Sequence, residues 1–127
     1  MKVRTKILVI EDEVPIRRFL RASLADDDFE LHEAETGTEG IRLAASHNPD
    51  IILLDLGLPD IDGIEVTKRL REWSAKPIIV LSARGNEEDK IAALDNGAND
   101  YLTKPFGVGE LLARIRVALR WTKMVSE

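Results

Sequence analysis

The chain has 127 residues, enough for one domain with one substantial core. Its hydrophobic share of 44% is ordinary, while charged residues at 32% exceed the usual share of about 25%, so much of the surface must be charged. A net charge of -5 excludes the basic field that sequence-independent nucleic-acid binding needs, and the absence of cysteine excludes a disulfide framework. No stretch approaches the roughly 18 consecutive apolar residues of a membrane span. The apolar run after the basic residues of Met1 to Thr5 is too short for a secretory signal, so a cytoplasmic domain is expected.

In chain order the pattern reads strand then helix, five times. Lys6 to Ile10 is a predicted strand that runs into Glu11 and Asp12. Ile16, Phe19, Leu20 and Leu24 then recur at helical spacing, with Pro15 tolerable in the first turn and Asp26-Asp27-Asp28 forming a polar turn beyond the end. Phe29 to Ala34 alternates apolar and polar residues like an edge strand. Thr36 is placed to cap a second helix with Ile41, Ala44 and Ala45 on its buried face, ended by Asn48-Pro49. Ile51 to Leu54 is wholly apolar and runs into Asp55. Gly63 opens a third helix carrying Ile64, Val66, Leu70 and Trp73, and Ile78 to Leu81 is again apolar throughout, leading to Ser82. Such continuous strands indicate burial on both faces. Asn86 to Asn96 reads as a weakly amphipathic helix with Gly97 suited to its C′ position. Asp100 to Thr103 leads into Lys104-Pro105, and Val108 to Trp121 is the last helix, with Leu111, Ile115, Ala118 and Leu119 toward the core. The expected fold is α/β: a doubly wound five-stranded parallel sheet with helices on both faces.

Parallel strands bring their carboxyl ends to one edge, where open α/β sheets bind ligands. Glu11, Asp12 and Asp55 would then crowd three carboxylates, which favours a hard divalent cation. Magnesium keeps several waters, so one or two carboxylates and a backbone carbonyl, available at Gly57, would be enough protein. Carboxylates form acyl phosphates by nucleophilic attack, which makes Asp55 the candidate acceptor. The metal, the Lys104 ammonium and the Ser82 hydroxyl would each neutralise one phosphoryl oxygen. His32 and His47 have no partners at metal-ligand spacing and read as surface residues.

Taken together, Glu11-Asp12, Asp55, Leu58-Pro59-Asp60-Ile61-Asp62-Gly63, Ser82-Ala83 and Tyr101-Leu102-Thr103-Lys104-Pro105-Phe106 resemble the receiver domain of bacterial two-component response regulators, over nearly the whole chain. The resemblance implies a flavodoxin-like sheet of strand order 2-1-3-4-5. It also implies Asp55 as phosphoacceptor, magnesium held by Asp12, Asp55 and the Gly57 carbonyl with Glu11 holding metal-bound water, and Lys104 paired with the phosphoryl oxygens. Ser82 and Tyr101 would be the conformational switch pair, and the bond before Pro105 would be cis. The phosphodonor would be a sensor histidine kinase. The domain would promote its own phosphorylation and dephosphorylation without turning over an external substrate. Gly57 and Arg84 flank the expected phosphoryl site, where the missing side chain at Gly57 lets water approach.

Lys90 to Arg120 is similar to the winged-helix (OmpR/PhoB-like) subfamily, in which phosphorylated receivers form homodimers through the fourth helix, fifth strand and fifth helix. That likeness implies an apolar patch of Ile91, Leu94 and Leu112, with Lys90 meeting Glu110 and Asp100 meeting Arg114 across the axis. Trp121 and Asn99 depart from the subfamily, which usually has a basic residue and an aspartate there, and one peripheral ion pair to Asp95 is expected to be missing. Within the subfamily, Asp55 to Asp60, Arg71 to Ala75, Val80 to Arg84 and Phe106 to Leu111 are similar to the regulators of potassium-transport genes. The expected organisation is a receiver over 1–121, with 122–127 beginning a linker to a DNA-binding effector domain outside this chain.

Three other readings compete. A flavodoxin-like nucleotide binder needs a Gly- or Ser/Thr-rich phosphate loop after the first strand, where Glu11-Asp12-Glu13 would repel phosphate. A metal-dependent phosphatase needs a cap or pocket for its leaving group. A phosphorylation-independent receiver-like protein-binding module would not require the intact set Asp12, Asp55, Ser82 and Lys104.

Overall fold

The computed structural model describes residues 4–25 and 28–126, with side chains through Arg120. Five strands and five helices alternate: β1 (Thr5–Ile10), α1 (Val14–Leu24), β2 (Phe29–Ala34), α2 (Gly37–His47), β3 (Ile51–Leu54), α3 (Gly63–Arg71), β4 (Ile78–Ser82), α4 (Glu87–Asp95), β5 (Asp100–Thr103) and α5 (Val108–Ser126). All strand pairings are parallel and the order is β2-β1-β3-β4-β5. Among the described residues this is the doubly wound, flavodoxin-like sheet expected from the sequence.

The two-residue period of the strands divides the core between the faces. Ile7, Val9, Ile51, Leu53, Ile79 and Leu81 pack with Leu20 and Leu24 of α1 and with Leu111 and Ile115 of α5. Leu8, Ile10, Ile52, Leu54 and Ile78 pack on the other face with Ala44 of α2 and with Val66 and Leu70 of α3. A smaller cluster of Leu56, Val80, Ala93 and Ala98, joined by Ile64 and Tyr101, seats α4, whose one buried residue is Ala93.

Helix starts follow the capping residues. Thr36 Oγ1 accepts from the Glu39 N–H, Asp62 from the Ile64 N–H and Asn86 from the Asp89 N–H. Gly97, at φ +115°, follows the C-cap of α4 in the left-handed region that favours glycine.

Four side chains differ from the sequence expectation. Ala45 is exposed, because the face of α2 that meets the sheet is centred on Gly37, Gly40, Ile41 and Ala44; a Cβ on Gly40 would lie 2.5 Å from Ile10 Cδ1. Trp73 lies past the end of α3 and is 51% exposed, its helical spacing from Leu70 broken by the turn at Glu72. His32 and His47 are half-buried against one another, with ring centroids 4.4 Å apart, since the packing of α2 against β2 joins positions far apart in sequence. The last helix runs on past Trp121 to Ser126, across the stretch expected to begin a linker; the Trp121 side chain, like Asp26 and Asp27 of the acidic tripeptide, lies outside the described residues.

Candidate functional site

The pairing register builds the site. Ile10 lies opposite Leu54, and the Asp55 N–H donates to the Ile10 carbonyl at 3.0 Å, so Glu11 and Asp55 leave neighbouring strands side by side. Glu11, Asp12 and Asp55 each contribute a carboxylate oxygen to a group whose members lie within 4.8 Å of one another. Glu11 and Asp55 are buried, and Asp12 Oδ1 is a buried oxygen with no hydrogen-bond partner. Three carboxylates this close, one with an unsatisfied buried oxygen, fit an oxygen-seeking divalent cation and leave a cost if none is bound. Burial, with a contribution from the Asp55 charge, pushes the Glu11 carboxyl up to about 7 against the opposing pull of Lys104.

Lys104 reaches into this cluster from the end of β5. Its backbone N–H donates to the Ser82 carbonyl at 2.8 Å, and the bond to Pro105 is cis, as expected. Its Nζ donates to Glu11 Oε1 at 2.8 Å and lies 3.5 Å from Asp55 Oδ1 and 3.8 Å from Glu13 Oε1. Burial opposes the ammonium charge, but the hydrogen bond to Glu11 and the charges of Asp55, Glu11 and Glu13 outweigh it and raise its pKa. Ser82, 1% exposed, ends β4 beside Thr103. Its Oγ accepts from the Arg84 N–H at 3.1 Å, while the Tyr101 hydroxyl donates to the Arg84 carbonyl. Gly57 is exposed, and a Cβ there would lie 3.8 Å from Asp55 Oδ2.

A family model described as the response regulator receiver domain matches residues 7–116. The chain belongs to that family. The receiver is 63% identical over 116 residues to the KDP operon transcriptional regulatory protein KdpE of Escherichia coli (strain K12), covering 91% of this chain and 52% of that protein. It is 50% identical over 123 residues to the transcriptional regulatory protein KdpE of Mycobacterium tuberculosis (strain H37Rv), covering 97% of this chain and 54% of that protein. The receiver thus spans about half the length of the curated relatives it matches. Among solved structures, the BeF3-activated N-terminal receiver domain of Klebsiella pneumoniae RstA superposes with a TM-score of 0.87 at 32% identity, covering 91% of this chain and 99% of that one. The likeness to KdpE-type regulators expected from the sequence is therefore found.

Two supports of the receiver site escaped the sequence reading. Arg17, 9% exposed on the sheet-facing side of α1, donates from Nη1 to the carbonyls of Glu11 and Asp12, each at 2.9 Å, and pairs through Nη2 with Glu35 at 3.0 Å. It fixes the acidic loop from below. The available signal was an arginine in register with Leu20 and Leu24, three and seven residues on. Gly63 is the other: its N–H donates to the Leu56 carbonyl at 2.8 Å, and a Cβ would lie 2.6 Å from both the Asp55 carbonyl oxygen and Leu56 Cα. Only glycine lets α3 start this close to the Asp55 and Leu56 backbone.

On the α4-β5-α5 face of the receiver, Ile91 is 49% and Leu94 45% exposed, while Leu112 is half-buried against the α1 and α5 side of the core. Lys90 Nζ lies 6.0 Å from the Tyr101 ring centroid. Arg114 lies 3.4 Å from Asp100 and 3.5 Å from Glu110 within the same chain. Asn99 accepts from the Ile78 N–H at 2.9 Å and from Arg71 Nη2 at 2.8 Å, so its amide oxygen serves the chain's own loops.

Proposed function

We propose that this receiver accepts a phosphoryl group on Asp55 from the phosphohistidine of a sensor histidine kinase, and that this modification turns on pairing of two copies. The observation that carries the reading is the buried convergence of Asp55 with Glu11, Asp12 and Lys104. An Asp55 carboxylate oxygen attacks phosphorus in line, the phosphorus–nitrogen bond of the donor breaks, and the imidazole leaves with its electron pair. Lys104, 3.5 Å from Asp55, exchanges its carboxylate partners for a phosphoryl oxygen. Asp12, Asp55 and the Gly57 carbonyl would hold magnesium, and Glu11 water bound to it. When bound, that ion supplies positive charge against the phosphoryl oxygens.

Ser82 then turns its hydroxyl to the phosphoryl group, Tyr101 moves into the space released, and the α4-β5-α5 face is biased toward its dimer form. Ile91, Leu94 and Leu112 form the apolar centre of that interface, and Lys90–Glu110 and Asp100–Arg114 pair across its two-fold axis. The contacts of Arg114 within one chain would be exchanged for contacts to the partner. Likeness to KdpE supports a cytoplasmic regulator of potassium-transport genes served by a KdpD-like kinase, with 1–121 as the receiver and DNA reached through an effector domain on the same polypeptide.

The test is the intact mass of this protein and of Asp55→Asn after incubation with acetyl phosphate, with and without magnesium. One phosphoryl adduct is expected, dependent on magnesium and absent from the variant. No adduct in any condition would replace the reading with that of a phosphorylation-independent binding module.

A further inference from the structure

Arg84 is joined at three points to parts that the proposed switch requires to move. Its N–H donates to Ser82 Oγ at 3.1 Å, its carbonyl accepts from the Tyr101 hydroxyl, and its Nη2 donates to Asp62 Oδ1 at 2.8 Å. The first two contacts engage the switch pair itself. The third ties the β4–α4 loop to the N-terminus of α3. Asp62 is a firm anchor, because its other oxygen, Oδ2, accepts from the Ile64 N–H at 3.0 Å as the cap of α3, and Gly63 is pressed against the Asp55 and Leu56 backbone. On the other side, α4 is held to the sheet by Ala93 alone among its buried residues. The loop that carries Arg84 therefore joins a fixed element to a loosely held one.

We infer that the Asp62–Arg84 ion pair is a latch: it holds the β4–α4 loop so that Ser82 stays bonded to the Arg84 N–H and Tyr101 to the Arg84 carbonyl. Arg84 is a positioning residue here, acting on the acceptor site through Ser82 and Tyr101. This inference rests on the switch reading of Ser82 and Tyr101 above. With the pair broken, the loop is free to shift, the Ser82 hydroxyl is released toward an arriving phosphoryl group, and the Tyr101 hydroxyl loses its fixed acceptor. The latch thus sets how far the unmodified protein already samples the signalling arrangement. Both partners are partly exposed, with side chains 37% and 43% accessible, so the pair biases an equilibrium and does not lock it.

The chain contains a single tyrosine, so 3-fluorotyrosine gives one fluorine NMR signal that reports on Tyr101 without any phosphorylation. Asp62→Asn keeps a cap as good as aspartate and removes the charge; Arg84→Gln removes the other charge, and Arg84→Lys retains it. The expected result is the same displacement of the fluorine signal in Asp62→Asn, Arg84→Gln and the double variant, with Arg84→Lys close to the parent. Asp55 modification by acetyl phosphate should also run about two- to fivefold faster in the three uncharged variants, the range an exposed ion pair can account for, with no further gain in the double variant. An unmoved fluorine signal in both single variants would overturn the latch. So would a faster reaction in Asp62→Asn combined with a slower one in Arg84→Gln, which would mean that Arg84 assists the donor directly. Failure of the parent to take up phosphate would overturn the proposed function instead, and the fluorine signal would still decide the latch.

Discussion

Arg17 shows how one side chain can set the geometry of an acidic site without touching its ligand. A guanidinium donating to two consecutive main-chain carbonyls holds the Glu11-Asp12 peptide where both carboxylates face Asp55. Arg17→Met keeps the bulk but leaves both carbonyls without that donor. A loss of about 2–3 kcal/mol is expected, from one buried and one part-buried hydrogen bond donated by a charged group. Urea unfolding should show this loss, together with a weaker rise in midpoint on adding magnesium than in the parent. An unchanged midpoint would mean that the loop holds itself. The gathering of Glu11, Asp55, Ser82 and Lys104 at one edge was legible in the sequence because they directly follow or end strands of a parallel sheet. Arg17 was not, because a helical arginine declares neither its burial nor its partner until two elements are packed together.

At the scale of elements, the connection between α2 and α3 is electrostatic as well as apolar. Asp60, in the loop before α3, accepts from the Gly37 N–H at 2.8 Å, the Thr38 N–H at 2.9 Å and the Thr38 hydroxyl at 2.7 Å, placing a carboxylate at the positive end of α2. The Thr38 hydroxyl above all, with the Thr38 and Gly37 N–H groups, holds its pKa well below the ordinary aspartate range. A depressed folded-state pKa means that the stabilisation is complete above the unfolded value, near 4, and is lost as pH falls toward the folded one. Comparing urea midpoints of the parent and Asp60→Asn should therefore show the full gap at pH 6 and a shrinking gap below about pH 4. A gap independent of pH would exclude the charge as its source. The central strands were legible as continuous apolar runs and the start of α2 from its cap Thr36. Ala45, Trp73 and the His32–His47 contact were not, because they depend on how α2 rotates against Gly40 and Ile10, and on where α3 unwinds.

For the whole molecule, the α4-β5-α5 face offers charges of both signs around an apolar centre, an arrangement suited to a self-complementary contact. If two phosphorylated copies pair as proposed, Lys90→Glu should weaken dimerisation by about ten- to thirtyfold, because the two-fold axis makes an unfavourable like-charge contact of roughly 0.7–1 kcal/mol occur twice. Adding Glu110→Lys should restore it. Sedimentation of the phosphorylated proteins provides the check, and equal dimer affinity in all three would remove this face from consideration. The parallel sheet was legible from the alternation of elements and its strand order from the resemblance to receiver domains, whereas the contacts of Arg114 with Asp100 and Glu110 inside one chain could be known only from the folded molecule.

The unequal seating of the helices has a thermodynamic counterpart. The helices α1 and α5 contribute residues to one large cluster and α2 and α3 to the other, whereas α4 contributes Ala93 to the small one. Local unfolding draws first on the parts with the least buried contact. Amide protons of α4 should thus exchange with solvent through openings that leave the edge carrying Glu11 and Asp55 folded; under the proposed switch, the helix that reports the signal would melt and reform while the chemistry that writes it stays assembled.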